Sequence, residues 1–244
     1  MKGPKELPEY LRVPWGVRDA VLLVAGWFVA QVLLGVILAL LARVIPPVAG
    51  FLAGVRSEDV GATFALDLIG VALGFGLMAL FLRHYRVGWQ MVGWRRVSVW
   101  RAVGYLVVIL VVFLIAAQVT LELVKLLVPA FDPNQAQTNE FTKGADSHWS
   151  LALIALVLIP PVLEETIFRG FIFPALAKRT GLIWGAVLSS ALFGLAHGQA
   201  NLFVYTMILG LLLCFMYVRT RSIVPGILLH MVNNYLAFLA ITSK

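Results

Sequence analysis

Two adjacent carboxylates, Glu164 and Glu165, are followed by Arg169, then by Phe193 and His197, then by His230, Asn233 and Asn234. Two carboxylates, two histidines and two amides together supply a base, an acid and amide donors, the parts of a site for general acid–base chemistry. Glu165 and Arg169 stand four apart in the order that favours pairing on a helix face, and Glu164 points about 100° away. Arg169 is therefore expected to neutralise and orient Glu165, leaving Glu164 to face a cavity. His230 and Asn234 also share a helix face, with Asn233 as the alternative amide.

The elements that must carry these groups are apolar. Of 244 residues, 61% are hydrophobic and 13% charged, and mean hydropathy is +0.94. A soluble domain is about half apolar and roughly a quarter charged, so lipid must cover part of this surface. The net charge of +7 fits cytoplasmic helix ends that meet anionic lipid and sets topology, rather than nucleic-acid binding. Cys214 stands alone, which excludes an internal disulfide and cysteine-based zinc patterns. It reads as a small packing residue. The first apolar run follows a polar leader and, at about thirty residues, is too long for a signal-peptide core.

Seven runs approach the roughly twenty residues needed to span a bilayer as helix: 17–45, 61–82, 102–129, 150–176, 182–199, 201–218 and 222–241. The expected fold is an all-α polytopic membrane bundle of about seven transmembrane helices. Residues 1–149 would form a three-helix region with an external loop over about 130–149, and 150–241 the chemistry-bearing helices. Basic residues alternate between connections. The leader holds Lys2, Lys5, Arg12 and Arg18; the second connection Arg83, Arg86, Arg95, Arg96 and Arg101; the fourth Lys178 and Arg179; the sixth Arg219 and Arg221. The other connections are poorer in cations, which predicts a cytoplasmic N-terminus. Trp89, Trp94 and Trp100 read as interfacial aromatics.

Ionisable groups at membrane depth are costly, and each needs an account. Asp67 lies toward the external end of the second run. Glu122 and Lys125 can pair near the external end of the third, and Gly70 and Gly74 give a small-xxx-small spacing for close helix packing. Pro160 and Pro161 free backbone carbonyls, which lipid tolerates only where protein or water satisfies them. At 1.5 Å per residue, Glu164, His197 and His230 fall about 18, 22 and 12 Å from the cytoplasmic ends of their helices, one layer within the error of the ends. A single Glu–Arg pair, His or Asn in a spanning helix is often structural. Base, acid and amide at one depth go beyond what packing requires.

The set Glu164-Glu165-x-x-x-Arg169, Phe193-x-x-x-His197 and His230-x-x-x-Asn234 resembles the three-motif signature of the CAAX-protease and bacteriocin-processing (CPBP, or Abi) intramembrane proteases, which include prenyl-CAAX endopeptidases. The resemblance covers about 150–240. It implies a helical membrane fold with a cavity open to the cytosol. Glu164 and His197 would activate water, and His230 and Asn234 would stabilise the oxyanion. Glu165 and Arg169 would support the site, with Phe193 packed beside His197.

The expectation is an intramembrane endopeptidase of the cytoplasmic membrane acting on a membrane-associated peptide or protein, prenylated CAAX-type segments being one option. Zinc is a rival cofactor: Glu164, His197 and His230 could form a two-His, one-carboxylate site with water in fourth place, although no HExxH helix is present. Rival functions are a non-catalytic scaffold regulating another membrane protein and a proton-coupled transporter. The lack of paired repeats argues against the transporter.

Overall fold

The computed structural model describes residues 7–57, 59–128, 149–151, 153–198 and 200–242. The loop expected over 130–149 lies almost wholly outside them, as do Lys2, Lys5 and Lys143. Among the described residues every regular element is helical. We label them α1 (Val17–Leu41), α2 (Pro46–Arg56), α3 (Val60–His84), α4 (Val99–Leu127), α5 (Trp149–Thr180), α6 (Leu182–Ala196), α7 (Ala200–Thr220) and α8 (Val224–Thr242). Short 3-10 turns occupy Glu9–Leu11 and Trp89–Val92. Spans within α1, α3, α4, α5 and α7 are long and apolar enough to cross a membrane, and α6 and α8 are shorter apolar helices. The chain is thus an all-α, polytopic membrane protein, and the seven apolar runs correspond to these seven helices.

Two local features depart from the sequence pattern. The first run does not continue to residue 45. Helix α1 ends at Leu41, and Pro46 and Pro47 open a separate eleven-residue helix at its first positions, where a missing N–H costs nothing. Helix α5 absorbs its prolines by changing winding. A π-helical stretch, Ile154–Leu158, precedes them, and a second, Thr166–Ile172, follows the carboxylates. Such wide turns occur mostly within α-helices and often at functional sites.

Internal contacts divide the chain into two compact units. The first comprises residues 1–20, 85–135 and 164–230. Its core joins Ile109 and Phe113 of α4, Phe193 of α6, Leu209, Leu213 and Met216 of α7, and Leu229 of α8. Small residues let these helices approach closely. A Cβ on Gly185 would stand 2.6 Å from the Ala177 backbone, and one on Gly210 would stand 2.9 Å from Ser190 Cβ. Gly170 lies so tightly against the Val92 carbonyl that any side chain would collide with it. The N-terminal segment is pinned to the same unit. Trp15 is fully buried, stacks on Phe171 at 4.5 Å and donates its indole N–H to the Phe171 carbonyl at 3.0 Å. Lys178 Nζ donates to the carbonyls of Val13 and Trp15 at 3.1 and 3.3 Å.

The second unit comprises residues 21–84, 136–163 and 231–244. Here the Gly70/Gly74 spacing brings helices together. Trp27 Nε1 donates to the Gly70 carbonyl at 2.8 Å, and a Cβ on Gly74 would meet Leu163 at 2.9 Å and Trp27 Nε1 at 3.3 Å. Val157 and Phe238 form a buried contact between α5 and α8. Back in the first unit, Glu122 and Lys125 pair at 3.5 Å on the exposed end of α4.

Candidate active site

The α-helical stretch Ile159–Glu165 ends on the carboxylate pair, and the π stretch begins at the next residue. The pair is split by environment. The Glu165 side chain is 1% exposed and the Glu164 side chain 30%. Arg169 Nη1 donates to Glu165 Oε1 at 2.8 Å with both side chains buried, the pairing expected from their spacing. Glu165 Oε1 also accepts from His230 Nδ1 at 3.1 Å, a link that the sequence did not disclose. The other ring nitrogen, Nε2, stands 3.8 Å from Glu164 Oε2. That is too long for a direct hydrogen bond but leaves room for a water touching both at about 2.8 Å.

Phe193, fully buried on α6, joins these groups to His197. The Arg169 guanidinium lies 4.2 Å from its ring centre. The rings of His197 and His230 meet it edge-on at 4.7 and 5.6 Å, and Phe168 does so at 5.1 Å. A cation over an aromatic face gains most where water is absent. That contact helps to offset the cost of Arg169 Nε and Nη2, which are buried and have no hydrogen-bond acceptor among the described residues. The family resemblance placed Phe193 beside His197. It did not show that the same ring separates and fixes both histidines.

Hydrogen-bond chemistry assigns the ring protons. His197 Nδ1 lies 2.8 Å from the Phe193 carbonyl, which can only accept, so Nδ1 carries the proton and Nε2 of the neutral ring is a bare acceptor. His230 Nδ1 faces the Glu165 carboxylate, so it too is the N–H nitrogen. Donation from His230 Nε2 requires a ring protonated at both nitrogens.

Further residues pack around the carboxylates that the sequence did not connect with them. Trp94 Nε1 donates to Thr166 Oγ1 at 3.2 Å, which ties the segment after the short 3-10 turn to the residue next to Glu165. Trp94 had read only as an interfacial aromatic. Gly226 on α8 lies close enough to Glu165 that a Cβ would stand 3.4 Å from Oε2.

Asn234 belongs to the second unit, where both ends of its side-chain amide are hydrogen-bonded. Its amide donates to the Leu156 carbonyl at 3.1 Å, and its Oδ1 accepts from Asn233 Nδ2 at 3.2 Å. The Leu156 carbonyl would be served by residue 160 in α winding or by residue 161 in π winding. Both are proline. Asn234 thus satisfies the carbonyl that the Pro160-Pro161 pair leaves free. Asn233 is buried and holds the Asn234 amide.

Among the described residues no three His, Cys, Asp or Glu side chains are grouped to hold a metal ion. Glu164 and His230 approach one another, whereas His197 is joined to them through the Phe193 ring. The zinc set considered from the sequence is not assembled in this arrangement.

Residues 146–236 match the family described as "Type II CAAX prenyl endopeptidase Rce1-like". Among curated proteins the chain is similar to "Putative membrane peptidase YdiL" of Bacillus subtilis (strain 168), with 36% identity over 85 residues. That stretch is 34% of this chain and 34% of the relative, so the similarity spans about a third of the relative's length. No solved structure matches the chain.

Proposed function

We propose, from the match of residues 146–236 to a CAAX prenyl endopeptidase family and the similarity to a membrane peptidase, that this chain is a membrane-embedded endopeptidase of the CAAX-protease and bacteriocin-processing family. Its substrate is a membrane-associated peptide or protein segment, prenylated CAAX-type segments included. The observation that carries this reading is the partly exposed Glu164 carboxylate, 3.8 Å from Nε2 of a histidine whose other nitrogen is held by a buried carboxylate.

Glu164 is the base. It takes a proton from a water held between it and His230 while the water oxygen bonds to the scissile carbonyl carbon. The proton then passes to the departing amine nitrogen as the C–N bond breaks. His197, whose Nε2 is a bare acceptor, takes the water's second hydrogen bond by moving toward Glu164 from its place against the Phe193 ring. His230, when protonated at both nitrogens, donates Nε2–H to the oxyanion. Glu165 and Arg169 position His230. No step is assigned to a metal, because the residues that would ligate one are not grouped. Residues 150–241 are proposed to carry the catalytic helices, in a cytoplasmic membrane with the N-terminus on the cytoplasmic side.

One observation favours the scaffold reading for part of this set: the Asn234 amide is engaged by Leu156. The two readings separate in a comparison of membrane peptides from cells carrying the wild type and cells carrying Glu164→Ala. A protease leaves an accumulated precursor in the variant. Identical peptide sets, with the variant protein present at wild-type level, would reject the enzymatic reading.

A further inference from the structure

Asp67 lies within an apolar span of mean hydropathy 2.2, about 10 Å along α3 from its first residue at 1.5 Å per residue. Its side chain is exposed on the outer surface of the helix, and no hydrogen bond or ion pair to it is seen among the described residues. One turn on, Gly70 is buried, and a Cβ placed on it would stand 3.4 Å from Gln31 Oε1 of α1. Gln31 is exposed as well. One turn before Gln31 on α1, Phe28 is exposed as well. A carboxylate and, one helical turn along at Gly70, an amide therefore lie on an otherwise hydrocarbon-like surface of the second unit. Ionisable groups at such depth mark a site and call for a partner. A negative acceptor one turn from an amide, flanked by small and apolar residues, is complementary to one kind of partner.

We propose that Asp67 and Gln31 form an intramembrane docking site for a transmembrane helix that carries a Lys or Arg side chain at the matching depth. The cation pairs with the Asp67 carboxylate, and the Gln31 amide hydrogen-bonds the same partner. This inference is independent of the proteolytic reading, because none of its residues belongs to the site around Glu164.

The test uses the full chain, labelled with a fluorescent donor at its N-terminus and reconstituted in phosphatidylcholine vesicles. Acceptor-labelled leucine–alanine transmembrane peptides carry Lys, Leu or Glu eight residues from one end. Energy transfer reports association. The Lys peptide is expected to associate about tenfold more tightly than the Leu peptide, and the Glu peptide no better than the Leu peptide. Asp67→Asn should erase the Lys preference, and Gln31→Leu should reduce it. Equal association of the three peptides with the unmodified chain would overturn the proposal, and that comparison needs no variant. A Lys preference that survives Asp67→Asn would also overturn it. So would Asp67-dependent self-association of the chain without any Lys preference, which would make a second copy the occupant.

Discussion

His230 donates Nδ1–H to Glu165 across 3.1 Å, and the accepting oxygen is the one that Arg169 holds at 2.8 Å. A buried ion pair is thus extended by one bond to a histidine whose second nitrogen faces the partly exposed Glu164. The arrangement fixes which nitrogen of His230 is free. Groups that orient a functional histidine commonly change activity when altered, even though they never touch substrate.

Glu165→Gln should therefore impair turnover without abolishing substrate binding. The amide can present an N–H to His230 and so reverse the ring's proton arrangement. It also leaves the Arg169 charge buried without its counter-ion. We expect kcat to fall by about 100-fold, KM to change little, and folding stability to drop by about 3 kcal/mol or more. Steady-state kinetics and unfolding in detergent check the two effects separately. A fall in stability with wild-type kcat in the folded fraction would show that the pair serves the fold alone.

Asn234→Ala should destabilise the chain by about 1 kcal/mol, the cost of leaving a part-buried carbonyl without its donor. The background decides the cause. In a chain with Pro160→Ala and Pro161→Ala, a backbone N–H becomes available to Leu156, and the same substitution should cost clearly less. The double-mutant comparison is read from unfolding midpoints. Equal costs in the two backgrounds would separate Asn234 from the proline pair.

Dialysis against a strong chelator should leave hydrolysis within about twofold of the untreated protein. The physical reason is coordination number: a catalytic zinc needs three protein ligands at close range, and Glu164 and His230 approach without a grouped third among the described residues. Activity lost on chelation and restored by added zinc would require His197 to move into that set.

The sequence disclosed the membrane class and the seven helices because lipid demands long apolar runs, and composition alone shows those. It disclosed the Glu165–Arg169 pair because that contact is local and follows helix phase. It could not disclose the His230–Glu165 bond, which joins residues 65 positions apart. Nor could it show the place of Phe193 between Arg169 and two rings. Such relationships depend on how α5, α6 and α8 pack. The residues 160–161 were legible as a source of unsatisfied carbonyls, but the partner, Asn234, lies 78 positions from Leu156. The π winding around the carboxylates left no periodic signal, since a stretch of five to seven residues is shorter than the window over which periodicity can be read.

The central claim is that Glu164 drives attack of water on a peptide bond, and isotope transfer tests it most directly. Membranes containing the wild-type chain, incubated in ¹⁸O-labelled water, should yield peptides whose newly formed C-terminal carboxylates carry the label, and membranes containing Glu164→Gln should lack those peptides. The same labelled termini appearing at the same rate with Glu164→Gln would contradict the account.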